Sequence, residues 1–419
     1  MLQFRLVLLS AVLLSSFGIA CSKVQAQPKI QTGLEVLKAQ NFKVLEGKRV
    51  GIVTNPTGVD NQLRSVADIL VEAANVNVVA LYGPEHGIRG DFEAGDKVEN
   101  AVDEATGLPV FSLYGKTRKP TPEMLEGVDA IVYDIQDIGS RSYTYISTLG
   151  LVMEAAAEAG IEVVVLDRPN PLGGNRWEGN LAEKGFISFV SQFEIPYVHS
   201  FTVGELAKFL NGEKLLEGGI QCELTVVEMQ GWNRDMIFQD TQLEWIPSSP
   251  HVPDAETAFY YSTTGILGEL QAYSEGVGYP LPFKVIGAPW VDAKKFANAM
   301  NAIGMESIMF RPIHFKSYYG RDKGEMMHGV QVHITDFRKA PLMLVQFYAI
   351  QELYKLYPDK NVFEMGKAKK RINMFDKVSG TDRIRKAFEK RFMVEDILPI
   401  LNEDMATFMP KAEKYFIYK

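Results

Sequence analysis

The chain has 419 residues, more than one ordinary hydrophobic core supports, so its length predicts two or three domains and we take two as the working number. Hydrophobic residues make up 46% and charged residues 23%, which is typical of a globular protein and excludes a disordered or membrane-embedded one. The net charge is −8 and no basic cluster interleaves with aromatic residues, so nucleic acid is excluded as an expected partner.

Residues 1–26 have the layout of an export signal, with one arginine, an apolar segment and then small residues. Two cleavage sites compete. The stretch "FGIAC" offers Cys21 for lipidation, although Gly18 stands where leucine is usual, whereas "VQA" before Gln27 fits ordinary signal cleavage. We favour lipidation and expect an exported protein, periplasmic or held at the membrane only through an N-terminal lipid anchor.

Cys21 and Cys222 are the two cysteines of the chain, so lipidation or removal of Cys21 leaves Cys222 without a disulfide partner. The surrounding "IQCELTVVEM" is typical of a strand and predicts a buried, inert thiol. No run after the signal is apolar and long enough to span a bilayer.

From Lys48 onward, short Val/Ile/Leu runs alternate with amphipathic helical patterns, as in "RVGIVTN", "VNVVALYGPE", "VDAIVYDIQ" and "IEVVVLDRPNP". This alternation predicts an α/β, Rossmann-like N-terminal domain over residues 30–230, with a mostly parallel sheet covered on both faces. Residues 231–419 begin with loops rich in Pro, Ser and aromatics and predict a smaller α+β C-terminal domain. We expect the active-site cleft between the two domains.

Polar side chains follow the predicted strands at their carboxyl ends, where ligands collect in such sheets. They are Asn55, Glu85 with His86, Asp134 with Asp137, and Asp167 with Asn170. Neither of the common glycine-rich phosphate motifs occurs at the first turn, so we expect no nucleotide cofactor.

Glu85 lies between a proline and the pair His86-Gly87, in a backbone that is stiff before it and free after it. Such a carboxylate can be held at a fixed angle and partly shielded from water, as a general acid requires. The alternative is an ion pair with Arg89 that closes the loop. His86 could orient Glu85, act as a base or bond to backbone. The dispersed histidines do not predict a metal site.

The stretch "YDIQDIGSRSYTY" carries Asp134, Asp137, Arg141 and Tyr143. Asp134 ends an apolar run and is expected to point into the cleft. Asp137 is a candidate substrate ligand, with capping of the next helix as the alternative.

The stretch "LDRPNPLGG" places Asp167, Arg168 and Asn170 on a loop fixed by proline, where they could bond sugar hydroxyls. An ion pair between Asp167 and Arg168 is the alternative. In the second half, "YSEGVGYPLPF" places Glu275 on a flexible loop, as a second catalytic carboxylate or as a solvated turn residue. No G-x-S-x-G elbow offers a serine nucleophile.

The motifs "YGPEHGIRG", "YDIQDIGSRSYTY", "VLDRPNPLGG" with "EGN", and "SEG" followed by "GAPW" together resemble the bacterial exo-β-N-acetylmuramidase family, from about Gly33 to the C-terminus. The resemblance implies a Rossmann-like domain, a smaller C-terminal domain, and release of N-acetylmuramic acid from the non-reducing ends of peptidoglycan fragments. It implies that Glu85 is catalytic. Arg89, Arg141 and Arg168 are the donors available for the lactyl carboxylate of muramic acid.

The chain departs from the family pattern at "PSSPHVP", "YSTTGILGEL" and "SEGVGYP", where Val277 and Tyr279 stand in place of an arginine and a threonine. A glycosidase needs a proton donor and a second group. Glu85 fits the donor, and Asp134, Asp167, Glu275 or the substrate acetamido group is the expected second group. Hydrolysis of another exported glycan, and glycan binding without turnover, are the alternative functions.

Overall fold

A computed structural model describes residues 29–90 and 101–419. In this part of the chain a seven-stranded sheet forms the centre of the N-terminal domain, in the order β3-β4-β2-β1-β5-β6-β7. Neighbouring strands are parallel except for β3, which runs antiparallel to β4. The strands are β1 (Arg49–Thr54), β2 (Asn77–Gly83), β3 (Ala101–Val102), β4 (Pro109–Ser112), β5 (Ala130–Asp134), β6 (Glu162–Leu166) and β7 (Leu224–Val227).

The six parallel strands follow the Rossmann order, in which the chain direction across the sheet reverses between β1 and β5. Strand β6 shows why the sheet has two covered faces, since all five of its residues are buried. Val163 and Val165 pack on one side, and Val164 and Leu166 pack on the other. A continuous apolar strand of this kind is stable only with helices on both faces.

Helices α1 (Gly33–Ala39) and α2 (Val66–Glu72) cover one face, and α3 (Tyr145–Ala159) and α4 (Val203–Gly212) cover the other. Local signals set several of their ends. The Ser65 hydroxyl accepts from the Ala67 N–H at the start of α2, and Thr202 and Glu205 form a capping box at the start of α4. Gly160 ends α3 with φ +66°.

The second domain contains a three-stranded antiparallel sheet in the order β8-β10-β9 within the described residues. Helix α6 packs on β9 and β10, and α5 packs against α7 and α9. The bounds are α5 (Ala255–Glu269), β8 (Val285–Ala288), α6 (Ala293–Ala302), β9 (Ile308–Lys316), β10 (Met326–Ile334), α7 (Leu344–Leu356), α8 (Val362–Ala368), α9 (Ile372–Ser379), α10 (Arg383–Arg391) and α11 (Leu398–Asn402). The predicted fold class is thereby confirmed.

The end of the chain returns to the N-terminal domain. Helix α12 (Met405–Ala412) places Phe408 against Trp177, Phe201 and Phe209, with ring centroids 5.6–6.2 Å apart. The hydroxyl of Tyr418, the next-to-last residue, donates to Asp167 Oδ2 at 2.6 Å. The boundary expected at residue 230 stays a prediction, and the last fifteen residues pack with the first domain rather than the second.

Cys222 is buried and unpaired, and burial raises the pKa of its thiol to about 11, which agrees with an inert thiol. No helix formed by residues 29–90 or 101–419 has the length and hydropathy needed to cross a membrane. The expected export signal, residues 1–26, and the lipidation site Cys21 lie outside the described residues.

Candidate active site

A pocket of about 300 Å³ lies where the two domains meet. The N-terminal domain contributes the ends of two segments, the turn after β2 and the entry to α3. The second domain contributes α5 and two loops that flank it. The lining residues are Glu85, His86, Ser142, Tyr143, Thr144 and Tyr145 from the first domain, and Ser249, His251, Val252, Tyr261, Glu269 and Phe283 from the second. The expected cleft between the domains is present.

Glu85 is half-buried in a tight turn at the end of β2. The Gly87 N–H donates to Pro84 O at 3.0 Å, and His86 has φ +74°, a left-handed conformation that is rare outside glycine. Strain of this kind persists where the surrounding structure enforces it and is common at active sites. The turn therefore restrains the backbone next to Glu85, whose side chain lines the pocket.

The start of α3 forms the wall beside Glu85. Thr144 Oγ1 donates to Glu85 Oε2 at 3.5 Å, and Tyr145 Oη lies 3.5 Å from Glu85 O. The Tyr143 hydroxyl lies 2.7 Å from Ser248 Oγ, while the Tyr145 hydroxyl donates to Ser248 O at 2.6 Å. These two tyrosines thus join the first domain to the loop that precedes α5.

Glu269 is the second carboxylate in the pocket, and sequence reasoning missed it. It ends α5, where Tyr261, Gly265 and Glu269 are spaced four residues apart and so share one helix face. Burial raises the pKa of Glu269, and the nearby Arg371, whose guanidinium donates to it, opposes that shift. The spacing from Tyr261 was the available signal, but the sequence does not show which face of α5 meets the first domain.

His251 was also missed. Its ring lies 5.8 Å from that of Tyr319, in a stacked orientation, and it shares the pocket with His86. Burial lowers the pKa of His251, and the proximity of His86 lowers it further, so His251 is neutral at neutral pH. The departure "PSSPHVP" therefore places an uncharged imidazole in the pocket wall.

Asp134 does not face the pocket as expected. It is fully buried, and Arg168 donates to its two oxygens at 2.5 and 3.0 Å. Burial raises the pKa of Asp134, and the Arg168 guanidinium opposes that shift. Arg168 also donates to Val59 O at 2.8 Å, so the pair joins β5 to the loop after β1. The alternative ion pair between Asp167 and Arg168 is wrong, because Arg168 pairs with Asp134.

Asp167 and Asn170 are also buried and hydrogen-bonded within the protein. Asp167 accepts from the Thr202 hydroxyl, the Gly204 N–H and the Tyr418 hydroxyl at 2.6–2.8 Å, and burial raises its pKa to about 7. Asn170 donates to the carbonyls of His199 and Phe201 at 2.9 Å. Both side chains hold backbone segments together, so neither is available to a sugar in this conformation.

Arg141 and Arg89 are engaged away from the pocket. Arg141 is fully buried and donates to Asn180 O and Ile195 O, each at 2.7 Å, and burial lowers its pKa to about 10. Arg89 donates to both Asp68 and Asp103 at 2.7–3.1 Å. The alternative that pairs Arg89 with Glu85 is therefore wrong.

Asn55 and Asp137 are buried beside the pocket. Asn55 Oδ1 accepts from the N–H and hydroxyl of Thr57, and its side chain approaches the Tyr145 hydroxyl. Asp137 Oδ2 accepts from the Gly139 N–H at 2.8 Å and lies 3.3 Å from His199 Nε2. Asp137 thus stabilises a turn and does not cap α3, whose cap position is Thr144.

Glu275 is buried near Glu269 and pairs with Arg321 at 3.1 Å. Val277 packs against the core of the second domain, and Tyr279 packs on Phe315 with ring centroids 5.1 Å apart. These departures from the family pattern therefore lie outside the pocket lining. Within the described residues, no group of three or more His, Cys, Asp or Glu side chains is arranged to hold a metal ion.

Comparison with known proteins gives two family matches. The model for the N-terminal domain of the exo-β-N-acetylmuramidase NamZ matches residues 50–256, and that for its C-terminal domain matches residues 259–418. The peptidoglycan β-N-acetylmuramidase NamZ of Bacillus subtilis is 42% identical over 94% of this chain and 92% of its own length. These matches confirm the resemblance read from the motifs and the prediction of a glycoside hydrolase.

Two solved structures share the fold, both DUF1343 family proteins of Bacteroides fragilis. One is 56% identical, with a TM-score of 0.89 over 93% of this chain and 99% of the other. The second is 26% identical, with a TM-score of 0.69 over 94% of this chain and 99% of the other. The two-domain arrangement is thus shared by relatives of very different sequence similarity.

Proposed function

The chain belongs to the exo-β-N-acetylmuramidase NamZ family, and we propose that it removes N-acetylmuramic acid from the non-reducing ends of peptidoglycan fragments, with Glu85 as the general acid. The observation that carries this proposal is the pocket between the domains, into which the strained turn after β2 directs Glu85. The substrate is proposed because the relative from Bacillus subtilis bears the name of a peptidoglycan β-N-acetylmuramidase.

Glu85 suits the donor role because its surroundings fix its direction and leave it accessible. The Pro84-to-Gly87 turn holds the backbone, and Thr144 contacts one carboxylate oxygen at 3.5 Å. Arg89, the arginine nearest to Glu85 in sequence, pairs with Asp68 and Asp103 rather than with Glu85. A general acid must protonate the glycosidic oxygen as the bond to the sugar breaks, and this requires both access and orientation.

We assign the second role to Glu269 in place of the residues expected from the sequence. Asp134 and Asp167 are buried and hydrogen-bonded, and Glu275 is buried outside the pocket lining. Glu269 lines the same pocket as Glu85. A carboxylate there would stabilise the positive charge that develops at the anomeric carbon. A substrate-assisted reaction through the acetamido group is the alternative, in which Glu269 would orient that group.

The test is hydrolysis of a chromogenic β-N-acetylmuraminide, beside the matching β-N-acetylglucosaminide, by the purified domain without residues 1–26. We expect turnover of the muraminide and a loss of about 10²–10⁴-fold in Glu85→Gln, the usual contribution of general acid catalysis. The control is Glu126→Gln, which removes a carboxylate from the exposed loop before β5.

A folded protein that hydrolyses neither compound would contradict the proposal. It would favour another exported glycan as substrate, or glycan binding without turnover. The departures at Val277 and Tyr279 give no support to those alternatives, because both residues pack against apolar clusters of the second domain and neither lines the pocket.

We also propose that the protein is exported and held at the membrane by a lipid on Cys21, on the basis of the signal-like residues 1–26 alone. Partition of the full chain into detergent, compared with Cys21→Ala, tests this. Equal partition of both forms into the aqueous phase would favour cleavage before Gln27 and free secretion.

A further inference from the structure

The arginines nearest the acids of the pocket are already paired. Arg371 donates to Glu269, and Arg321 donates to Glu275. Arg89 is held between two aspartates. A negatively charged substrate group therefore cannot use any of these guanidinium groups without displacing a carboxylate, which costs the original ion pair.

Arg118 differs from them, because it forms no ion pair with any carboxylate in the described parts of the chain, residues 29–90 and 101–419. Its side chain is exposed, and its guanidinium carbon lies 4.1 Å above the ring of Phe189. A cation–π contact of this kind holds the guanidinium in place. Its N–H groups can still donate hydrogen bonds in the plane of the guanidinium itself.

The chain path places Arg118 on the Glu85 side of the pocket. Strand β4 is parallel to β2, and directly after it the Leu113 N–H donates to Gly83 O at 2.8 Å. Tyr114 thus lies beside the turn that carries Glu85. Burial raises the pKa of Tyr114 to about 12, the Glu85 carboxylate adds to that shift, and Arg118 opposes it. The phenol is therefore within electrostatic reach of both side chains.

Phe189 connects this cation to the other wall of the same site. Its carbonyl accepts from the Ser147 hydroxyl at 2.7 Å, and Ser147 lies in the first turn of α3, directly after the pocket-lining segment that ends at Tyr145. The guanidinium of Arg118 therefore packs on the ring of a residue whose backbone is held by α3.

We propose that Arg118 binds the carboxylate of the lactyl group on N-acetylmuramic acid and thereby selects this sugar over N-acetylglucosamine. The two sugars differ at carbon 3, where N-acetylglucosamine carries only a hydroxyl. A guanidinium donates two parallel N–H groups to a carboxylate, in a geometry that a neutral hydroxyl cannot match. This inference rests on the proposed function, since it names the group that would read that substrate.

The test compares three chromogenic substrates: the β-N-acetylmuraminide, its lactyl amide, and the β-N-acetylglucosaminide. Arg118→Gln should lower kcat/KM for the muraminide by about ten- to a hundredfold, the usual worth of a hydrogen bond to a charged group. The loss should lie mainly in KM, and activity on the two neutral substrates should be unchanged. Arg118→Lys should recover part of the loss.

Lys116→Gln is the matched control, because it removes an exposed cation from the same loop and should leave all three activities unchanged. An unchanged preference for the free carboxylate in Arg118→Gln overturns the inference while leaving the proposed function intact. A wild-type protein without turnover overturns the proposed function instead.

Binding of the free sugars to Glu85→Gln then tests Arg118 independently of turnover. Tighter binding of N-acetylmuramic acid than of N-acetylglucosamine, lost in the double variant with Arg118→Gln, supports the inference. Equal affinities for the two sugars overturn it.

Discussion

Two parts of the same sheet edge carry carboxylates, and the structure treats them differently. After β2, Glu85 faces a pocket, and the hydroxyls of Thr144 and Tyr145 lie 3.5 Å from its Oε2 and its backbone O, respectively. After β5 and β6, Asp134 and Asp167 have no solvent exposure and accept hydrogen bonds at 2.5–3.0 Å. A carboxylate at the carboxyl end of a parallel strand can thus be a functional group in a pocket or a buried structural residue, depending on which segments pack over it.

The segments that pack over Asp134 and Asp167 are distant from them in sequence. The end of the chain brings Tyr418 to Asp167, and the loop after β1 brings Val59 O to Arg168, the partner of Asp134. Glu85 instead lines the pocket that it shares with α5, within the part of the chain that the structure describes.

The strongest test of this comparison breaks the buried ion pair. Arg168→Met leaves Asp134 charged, buried and unpaired, so we expect the free energy of unfolding to fall by about 3–5 kcal/mol. Arg64→Met, which removes an exposed pair with Glu72, should cost less than about 1 kcal/mol. Denaturant unfolding measures both. An equal loss of unfolding free energy in the two variants would show that the Asp134–Arg168 ion pair does not stabilise the fold more than an exposed pair does.

Glu269→Gln tests the part of the comparison that concerns the pocket. We expect activity on the muraminide to fall about a hundredfold, because the variant cannot stabilise positive charge in the transition state. Thermal unfolding should be nearly unchanged, since glutamine still accepts from Arg371. Glu275→Gln is the control, as Glu275 lies outside the pocket lining. A larger loss of activity in Glu275→Gln than in Glu269→Gln would mean that Glu275, not Glu269, is the second catalytic carboxylate.

The burial of Asp167 can be tested through the pH dependence of the free energy of unfolding. Its pKa is about 7 in the folded protein and about 4 when unfolded, so the folded state binds more protons between these values. The stability of the wild type relative to Asp167→Asn should therefore decline as pH rises from about 4 to 7, by about 3 kcal/mol. Unfolding measured at several pH values checks the sign. Asp129→Asn, at an exposed site where Arg49 lowers the pKa, should show no such decline.

The smallest expected effect concerns Thr144. Its hydroxyl is 3.5 Å from Glu85 Oε2, a long contact that contributes about 0.5–1 kcal/mol at most. Thr144→Val should therefore reduce kcat/KM about two- to fivefold and leave stability unchanged. A loss as large as that of Glu85→Gln would mean that Thr144 acts on the substrate directly.

Local patterns explain which predictions succeeded. The parallel strands of the first sheet were visible as short apolar runs, and β10 was visible in the alternation of "HGVQVHITD". The two-residue strand β3 was missed, because both of its residues are exposed. The turn at Glu85 was visible because proline and glycine restrict or free the backbone next to it. In contrast, the partner of Arg168 was chosen wrongly, since Asp134 lies 34 residues away and Asp167 is adjacent in sequence.

The sequence by itself determined the α/β sheet, the motif that carries Glu85 and the family to which the chain belongs, because these depend on residues near one another along the chain. Only the tertiary structure decided that Asp134, Asp167, Arg141 and Asn170 are buried, that Glu269 enters the pocket and that Arg118 packs on Phe189. The physical reason is that the charge state and accessibility of a side chain depend on what packs against it, and here those neighbours come from distant parts of the chain.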